Sequence, residues 1–129
     1  MKRHYLLSLL LLVSVLTMGQ KTVAKFNETT HDFGSILEQK GPVTYKFEFA
    51  NVGKTDLLLT NVQASCGCTT PKWSKKPVPA GTKGFIEVTY NPKDRPGPFN
   101  KTITVTTNSQ DENKILLYIK GDVVPKPKK

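Results

Sequence analysis

Short runs in which apolar and polar residues alternate, separated by glycine and proline, constrain the fold of this chain more than any other feature. In residues 43–49, Val43, Tyr45, Phe47 and Phe49 alternate with polar or charged residues. Because successive side chains of a strand point to opposite faces, this spacing predicts a strand with one apolar face. A helix needs an apolar period of about 3.6 residues, and no segment keeps that period over several turns.

Further segments of the same kind predict an all-β domain. Strands are expected near residues 23–28 and within residues 57–62, 84–90, 99–107 and 115–123. The breaks between runs are Gly41-Pro42, Pro77, Pro79-Ala80-Gly81, Asn91-Pro92 and Pro96-Gly97-Pro98. About seven short strands with such breaks, in roughly 100 residues, are typical of an Ig-like antiparallel β-sandwich of two sheets.

The phase of each alternation predicts which side chains form the core. The expected core residues are Phe47, Phe49, Leu58, Val88, Ile103 and Ile119. The phase is least defined in residues 57–62, because three leucines follow one another there. A slip of one residue moves every side chain of a strand to the other face, so Leu57 or Leu59 would then replace Leu58.

The first residues have the three-part pattern of a secretory signal peptide. A basic start precedes an apolar run that ends at Met18, and small residues follow it. We expect residues 1–19 to be removed by cleavage before Gln20, with cleavage after Ala24 as the alternative. The apolar run is about 13 residues, shorter than the ~20 that a spanning helix needs. The pattern predicts an exported protein, periplasmic or extracellular, without a lipid anchor or a transmembrane segment after cleavage.

Cleavage before Gln20 leaves residues 20–124 as one sandwich domain and residues 125–129 as a flexible basic tail. Loss of Lys2 and Arg3 leaves 17 basic residues against 10 acidic ones, a net charge of +7. This charge would attract acidic partners. No basic face interleaved with aromatic residues is evident, so nucleic acid is not expected as a partner. We expect a monomer or a weak oligomer that binds a protein or an envelope polymer.

The two cysteines, Cys66 and Cys68, flank a single glycine. They cannot form the inter-sheet disulfide of an antibody domain, which joins strands far apart in sequence. Three interpretations remain open: a local disulfide made in an oxidising compartment, a redox-active pair, and a soft-metal site with two thiolates. The following Lys72, Lys75 and Lys76 would favour a thiolate in the second interpretation. Free buried thiols or pairing between chains are further alternatives.

Little else in the chain points to catalysis. After cleavage the only histidine is His31, which is expected in a surface turn formed by residues 31–34. The carboxylates of Glu48, Glu87 and Asp94 have no motif around them, although paired carboxylates can act as acid and base. No Gly-rich phosphate loop is present. The sequence predicts no catalytic residue, no cofactor and no enzyme activity.

A series of short motifs occurs in a recognisable order along the chain. They are His31-Asp32-Phe33-Gly34-Ser35-Ile36, residues 47–53, residues 57–62, Ser65-Cys66-Gly67-Cys68-Thr69-Thr70-Pro71 with Trp73, Pro79-Ala80-Gly81, residues 84–90, residues 97–105 and residues 119–123. Over about residues 26–124 this order resembles the secreted bacterial family called domain of unknown function 1573. The resemblance implies an Ig-like β-sandwich similar to abnormal-spindle, hydin and major sperm protein domains, and a cell-envelope or exported location. It implies no activity.

Two functional hypotheses follow. The first is a non-catalytic, secreted Ig-like module that binds a protein or an envelope polymer, for which an exposed strand edge would accept a partner strand. The alternative is a thiol redox or copper-binding protein that acts through Cys66 and Cys68. The alternative predicts a solvent-reachable pair of sulfur atoms.

Overall fold

The computed structural model describes residues 23–110 and 113–127. These residues form eight strands and one 3-10 helix at Glu38–Lys40. The strands are β1 Ala24–Phe26, β2 Thr30–Leu37, β3 Val43–Asn51, β4 Leu59–Ala64, β5 Thr69–Trp73, β6 Lys83–Tyr90, β7 Gly97–Thr107 and β8 Lys114–Val124. The predicted signal peptide and the cleavage point before Gln20 lie outside the described residues. No helix among the described residues is long and apolar enough to cross a membrane.

The strands form two four-stranded sheets that enclose one core. The first sheet has the order β1-β3-β6-β5, and the second has the order β2-β8-β7-β4. The predicted all-β sandwich is therefore confirmed. One pairing departs from the antiparallel expectation, because β2 runs parallel to β8. After β1 the chain crosses to the second sheet, where β2 lies beside β8 and runs in the same direction.

The predicted strand phases place the right residues inside for β3, β6, β7 and β8. Phe47, Phe49, Val88, Ile103 and Ile119 are all 1% exposed or less. Their alternating neighbours are exposed or half-buried, as expected for the outer face of a strand of period two. These five predicted core residues are confirmed.

The prediction for Leu58 is wrong. Leu57 and Leu59 are 1% and 4% exposed, whereas Leu58 is only half-buried. Leu57 makes an isolated bridge to Val78 before β4 begins, and β4 shifts register just after Leu59. These two irregularities break simple alternation, so both flanking leucines point inward.

Two strands were not expected from the sequence. Residues 31–34, predicted as a turn, lie within β2. The turn-forming residues make a β-bulge instead of a turn. The register shifts between Asp32 and Ser35, and Gly34 has φ 67°. The Gly34 N–H donates to Asp32 Oδ1 at 2.8 Å, which stabilises the bulge inside the strand.

The other unexpected strand is β5, which was not predicted because it contains a proline. Pro71 lacks an N–H and cannot occupy a central strand without losing a ladder hydrogen bond. It is tolerated here because β5 lies at the edge of its sheet, and among the described strands it pairs only with β6. The described part of the sandwich therefore has eight strands rather than the expected seven or so.

Candidate functional site at the corner between β4 and β5

The Cys-Gly-Cys motif forms a corner that carries the chain from one sheet to the other. β4 is an edge of the second sheet and β5 is an edge of the first, and only residues 65–68 connect them. The Ser65 N–H donates to Thr102 O at 2.9 Å, and the Asn91 N–H donates to Cys68 O at 2.9 Å. Each end of the corner is thus fixed to a different sheet.

A disulfide joins Cys66 and Cys68, whose Cα atoms are 5.3 Å apart. The Thr69 N–H also donates to Cys66 O at 3.4 Å, so the turn is closed by the main chain as well. Cys68 is 5% exposed and packs in the core, whereas Cys66 is half-buried. The pair is therefore reachable from solvent on the Cys66 side only.

Glycine is not sterically required between the cysteines. Gly67 has no positive φ, and a Cβ at this position would meet nothing within 4 Å. Gly67 instead leaves an open, exposed surface beside the disulfide.

The nearest polar side chain described at the sulfur atoms is a buried threonine. Thr69 Oγ1 lies 3.6 Å from the Sγ atoms of both cysteines. Two of the three lysines that were expected to favour a thiolate have other neighbours. Lys75 Nζ lies 3.0 Å from the centroid of the Trp73 ring, and Lys72 lies opposite Glu87 in the β5–β6 pairing.

His31 lies far from the cysteines in the topology. It belongs to β2, which is the opposite edge of the second sheet from β4. Its ring stacks on Tyr45 with centroids 3.7 Å apart and meets Phe33 edge-on at 4.5 Å. The structure therefore does not bring His31 together with a cysteine nucleophile.

The phenol of Tyr45 has an acidic partner on that opposite side. Tyr45 Oη donates to Glu28 Oε2 at 2.7 Å. This hydrogen bond to a carboxylate, together with partial burial, raises the pKa of Tyr45 above its ordinary value. Among residues 23–110 and 113–127, no group of three or more His, Cys, Asp and Glu side chains could hold a metal ion.

Half-buried apolar side chains surround the corner on the side of the sandwich where β4 and β5 meet. Pro71 lies opposite Val88 and Trp73 opposite Ile86, so both point toward the core face of the first sheet. Ala64 faces inward in the same way on β4, opposite Ile103. We call this surface the open side and define it as Ala64, Cys66, Pro71 and Trp73, each of which is half-buried.

The open side was not predicted from the sequence because β5 was not predicted. Thr69, Pro71 and Trp73 alternate with polar Thr70 and Lys72, which is a period-two signal. The proline inside the run hid that signal. An edge-strand interpretation of Pro71 would have found the surface.

Comparison with solved structures places this architecture among Ig-like sandwiches. The ASH / PapD-like domain 7 of human CEP192 shares 11% identity, with a TM-score of 0.67, over 90% of this chain and 95% of that chain. A protein of unknown function from Porphyromonas gingivalis W83 shares 14% identity, with a TM-score of 0.65, over 82% of this chain. The chain spans about half of that protein, since the match covers 51% of it.

The YadV chaperone is a third similar structure, with 13% identity and a TM-score of 0.53 over 82% of this chain and 53% of that chain. At these identities the likenesses show the fold alone. They confirm the expected Ig-like sandwich. Comparison with curated proteins finds no match.

The family described as "Protein of unknown function (DUF1573)" matches residues 24–123. The match begins at the first residue of β1 and ends one residue before the end of β8, so it contains the corner, the open side and both sheets. The chain belongs to the DUF1573 family.

Proposed function

We propose that this chain is a non-catalytic, exported module that binds another protein through the open side of its sandwich. The observation that carries the proposal is the half-buried Trp73 at a sheet edge, with Lys75 Nζ over its ring. Tryptophan is among the residues that dominate binding energy at protein interfaces, and a polar rim around an apolar centre is typical of such interfaces.

The corner gives this surface a fixed shape. The disulfide and the hydrogen bonds of Ser65 and Cys68 hold the edges of both sheets together at one end. A preorganised surface loses little conformational entropy when it binds, so more of the contact energy appears as affinity. The open side is thus better suited to specific binding than a mobile loop of the same composition.

Export is proposed from the sequence pattern of residues 1–19. The described residues support cleavage before Gln20 over cleavage after Ala24. Ala24 is 4% exposed and begins β1, and the Val52 N–H donates to Val23 O at 2.9 Å. Cleavage after Ala24 would remove this hydrogen bond and the pairing of Ala24 with Asn51 of β3.

The test is capture from an envelope extract with two matched aromatic variants. Trp73→Ala removes the open-side aromatic, and Phe33→Ala removes a half-buried aromatic from β2, at the opposite edge of the sandwich. We expect Trp73→Ala to weaken capture of a specific partner at least about tenfold, which is typical of an interface hot spot. Phe33→Ala should keep the partner. Equal capture by both variants, or no specific partner under several conditions, would count against the proposal.

The alternative of a redox role has one supporting observation. The Thr69 hydroxyl, 3.6 Å from both sulfur atoms, is placed to donate to the thiolate that forms when a dithiol partner is oxidised to its own disulfide. The partner supplies two electrons and one proton, which leave one thiol and one thiolate on this pair, and its second proton goes to solvent. A hydrogen bond to the charged form lowers a thiol pKa.

Intact mass with thiol alkylation, before and after mild reductant, tests this alternative, with metal content measured on the same sample. Easy reduction, or copper on the reduced pair, would favour it. It fails if Cys66→Ser binds partners normally and the wild type shows no disulfide exchange.

A further inference from the structure

We propose that β4 is an acceptor edge for one extended, acidic segment of the partner, which adds to the second sheet as a further strand. This inference rests on the proposed function. It names the main-chain groups that bind the partner and the chemistry of the segment that fits them.

The main chain of β4 is arranged to pair on its free side. The Ser65 N–H donates to Thr102 O, which fixes the alternation of the antiparallel β4–β7 pairing. By this alternation the main-chain N–H and C=O groups of Gln63 hydrogen-bond to β7. The N–H and C=O groups of Val62 and Ala64 point in the opposite direction, toward the unpaired side of β4. The groups of Val62 and those of Ala64 lie about 6.8 Å apart along the strand. This equals the two-residue repeat of the hydrogen-bonding groups of an added strand.

The neighbouring edge β5 cannot pair in this way. The Asn91 N–H donates to Cys68 O and the Ser74 N–H donates to Phe85 O, so Thr69, Pro71 and Trp73 face outward along the edge. Pro71 has no N–H, and the Thr69 N–H already donates to Cys66 O. Only one outward donor remains on β5, which is too few for a strand ladder.

The two edges on the other side of the sandwich are also protected. β1 has only three residues and carries Lys25, and β2 carries Asp32 and is broken by the bulge at Gly34. Charged residues, bulges and short length are the usual ways in which proteins block edge pairing. β4, with the sequence LTNVQA, contains no charged residue and no proline.

The open side explains why the added segment should have alternating apolar residues. β4 and β5 lie on the same side of the sandwich because only four residues connect them. Every second side chain of a strand added to β4 would therefore point toward Pro71 and Trp73. Apolar side chains at these positions would remove the exposed parts of both residues from water, which is favourable by about 25 cal/mol per Å².

Charge identifies the remaining residues of the segment. Lys75 Nζ lies over the Trp73 ring, and Lys76 is the next residue. Lys76 lies two residues before Val78, which bridges to Leu57, and Leu57 lies two residues before β4. A second copy of this chain would bring the same lysines together across a β4–β4 interface, which is unfavourable. An acidic segment gains from the same charges, so the partner strand is expected to alternate apolar and acidic residues.

The probe is a synthetic peptide of four Glu-Val repeats, and its matched control has four Lys-Val repeats. Amide hydrogen exchange of the purified, oxidised protein is followed by NMR. We expect the acidic peptide to slow exchange at Val62 and Ala64 at least about tenfold, because these amides gain acceptors. The basic peptide should leave them unchanged. No protection by either peptide, or equal protection by both, overturns the inference.

Variants locate the binding edge. Ala64→Pro removes an outward N–H without breaking a bond to β7, and Thr30→Pro does the same at the exposed first residue of β2. We expect only Ala64→Pro to abolish protection of Val62. If Ala64→Pro fails to fold, Lys75→Glu replaces it and should transfer the preference from the acidic to the basic peptide. Protection that rises with protein concentration alone would show a second copy as the occupant and overturn the acidic partner.

The outcome can be separated from that of the proposed function. If Trp73→Ala loses the envelope partner while folded Ala64→Pro keeps it, strand addition is wrong and the proposed function stands. If both variants keep the partner, the open side is not the binding surface and the proposed function fails.

Discussion

Opening the Cys66–Cys68 disulfide should lower the stability of the domain by a small amount that follows from the size of its ring. The two cysteines are only two residues apart in sequence, so the bond removes little freedom from the unfolded chain. The chain-entropy relation for a ring of about three residues gives about 5.4 cal/mol/K, which is about 1.6 kcal/mol at 25 °C. For a domain of roughly 100 residues this equals a fall in melting temperature of about 6–13 °C.

Urea unfolding of the wild type with and without reductant measures this difference. Reduction is preferable to Cys68→Ser, because Cys68 is 5% exposed and a serine there would bury a hydroxyl group. The midpoint should move to lower urea, and the slope m should stay constant, since the surface exposed on unfolding is nearly the same.

A core truncation provides the scale for comparison. Ile103 is 0% exposed and lies in the middle of β7, so Ile103→Ala should cost about 2–5 kcal/mol. A loss on reduction as large as about 4 kcal/mol would refute the entropy argument. The disulfide would then maintain the packing of the two sheets, rather than stiffen a corner that hydrogen bonds already hold.

Three further predictions test the packing and the electrostatics. Leu57→Ala should cost about 2–5 kcal/mol in urea unfolding and Leu58→Ala less than about 1.5 kcal/mol, since only Leu57 is fully buried; equal losses would contradict the observed phase. Gly84→Ala should lower the free energy of unfolding by about 1–3 kcal/mol in the same assay, because the added Cβ would meet Val78 Cγ2 at 2.9 Å in the core. An unchanged urea midpoint would show that the neighbouring core side chains shift to accommodate the methyl group. Glu28→Gln should lower the pKa of Tyr45 in an ultraviolet titration, because the carboxylate that favours the neutral phenol is lost; an unchanged titration would show that the hydrogen bond is absent in solution.

The corner links the stability of the fold to its proposed binding surface. Cys68 contributes to the core, while Cys66 belongs to the open side. A change in the disulfide would therefore act on the surface next to β4 more than on the sheets. This is why a modest loss of stability on reduction is compatible with a large effect on binding.

Much of the fold could be predicted because period two is a local property. In β3, β6 and β7 the side chains alternate without interruption, so Phe47, Val88 and Ile103 could be assigned to the core from spacing alone. Where the strand is irregular the same reasoning failed. Leu58 was misassigned because a bridge at Leu57 and a register shift after Leu59 replace simple alternation.

The candidate site could be predicted only in part. The cysteine pair was identified, and the local disulfide was one of three open interpretations of it. The sequence did not place Pro71 and Trp73 on a strand, so the open side next to the cysteines was not foreseen. The stacking of His31 on Tyr45, at the edge of the second sheet opposite β4, was not predicted from the sequence either.

The sequence by itself determined the class of fold, the family and most of the core, because alternation, breaks and motif order are read from neighbouring residues. Only the tertiary structure decided that four residues around Cys66 and Cys68 join the edges of two sheets, and that β4 keeps a free, uncharged edge. Edges and corners depend on which strands pair across long stretches of chain. That pairing is fixed by the burial of both sheets together, so no local pattern contains it.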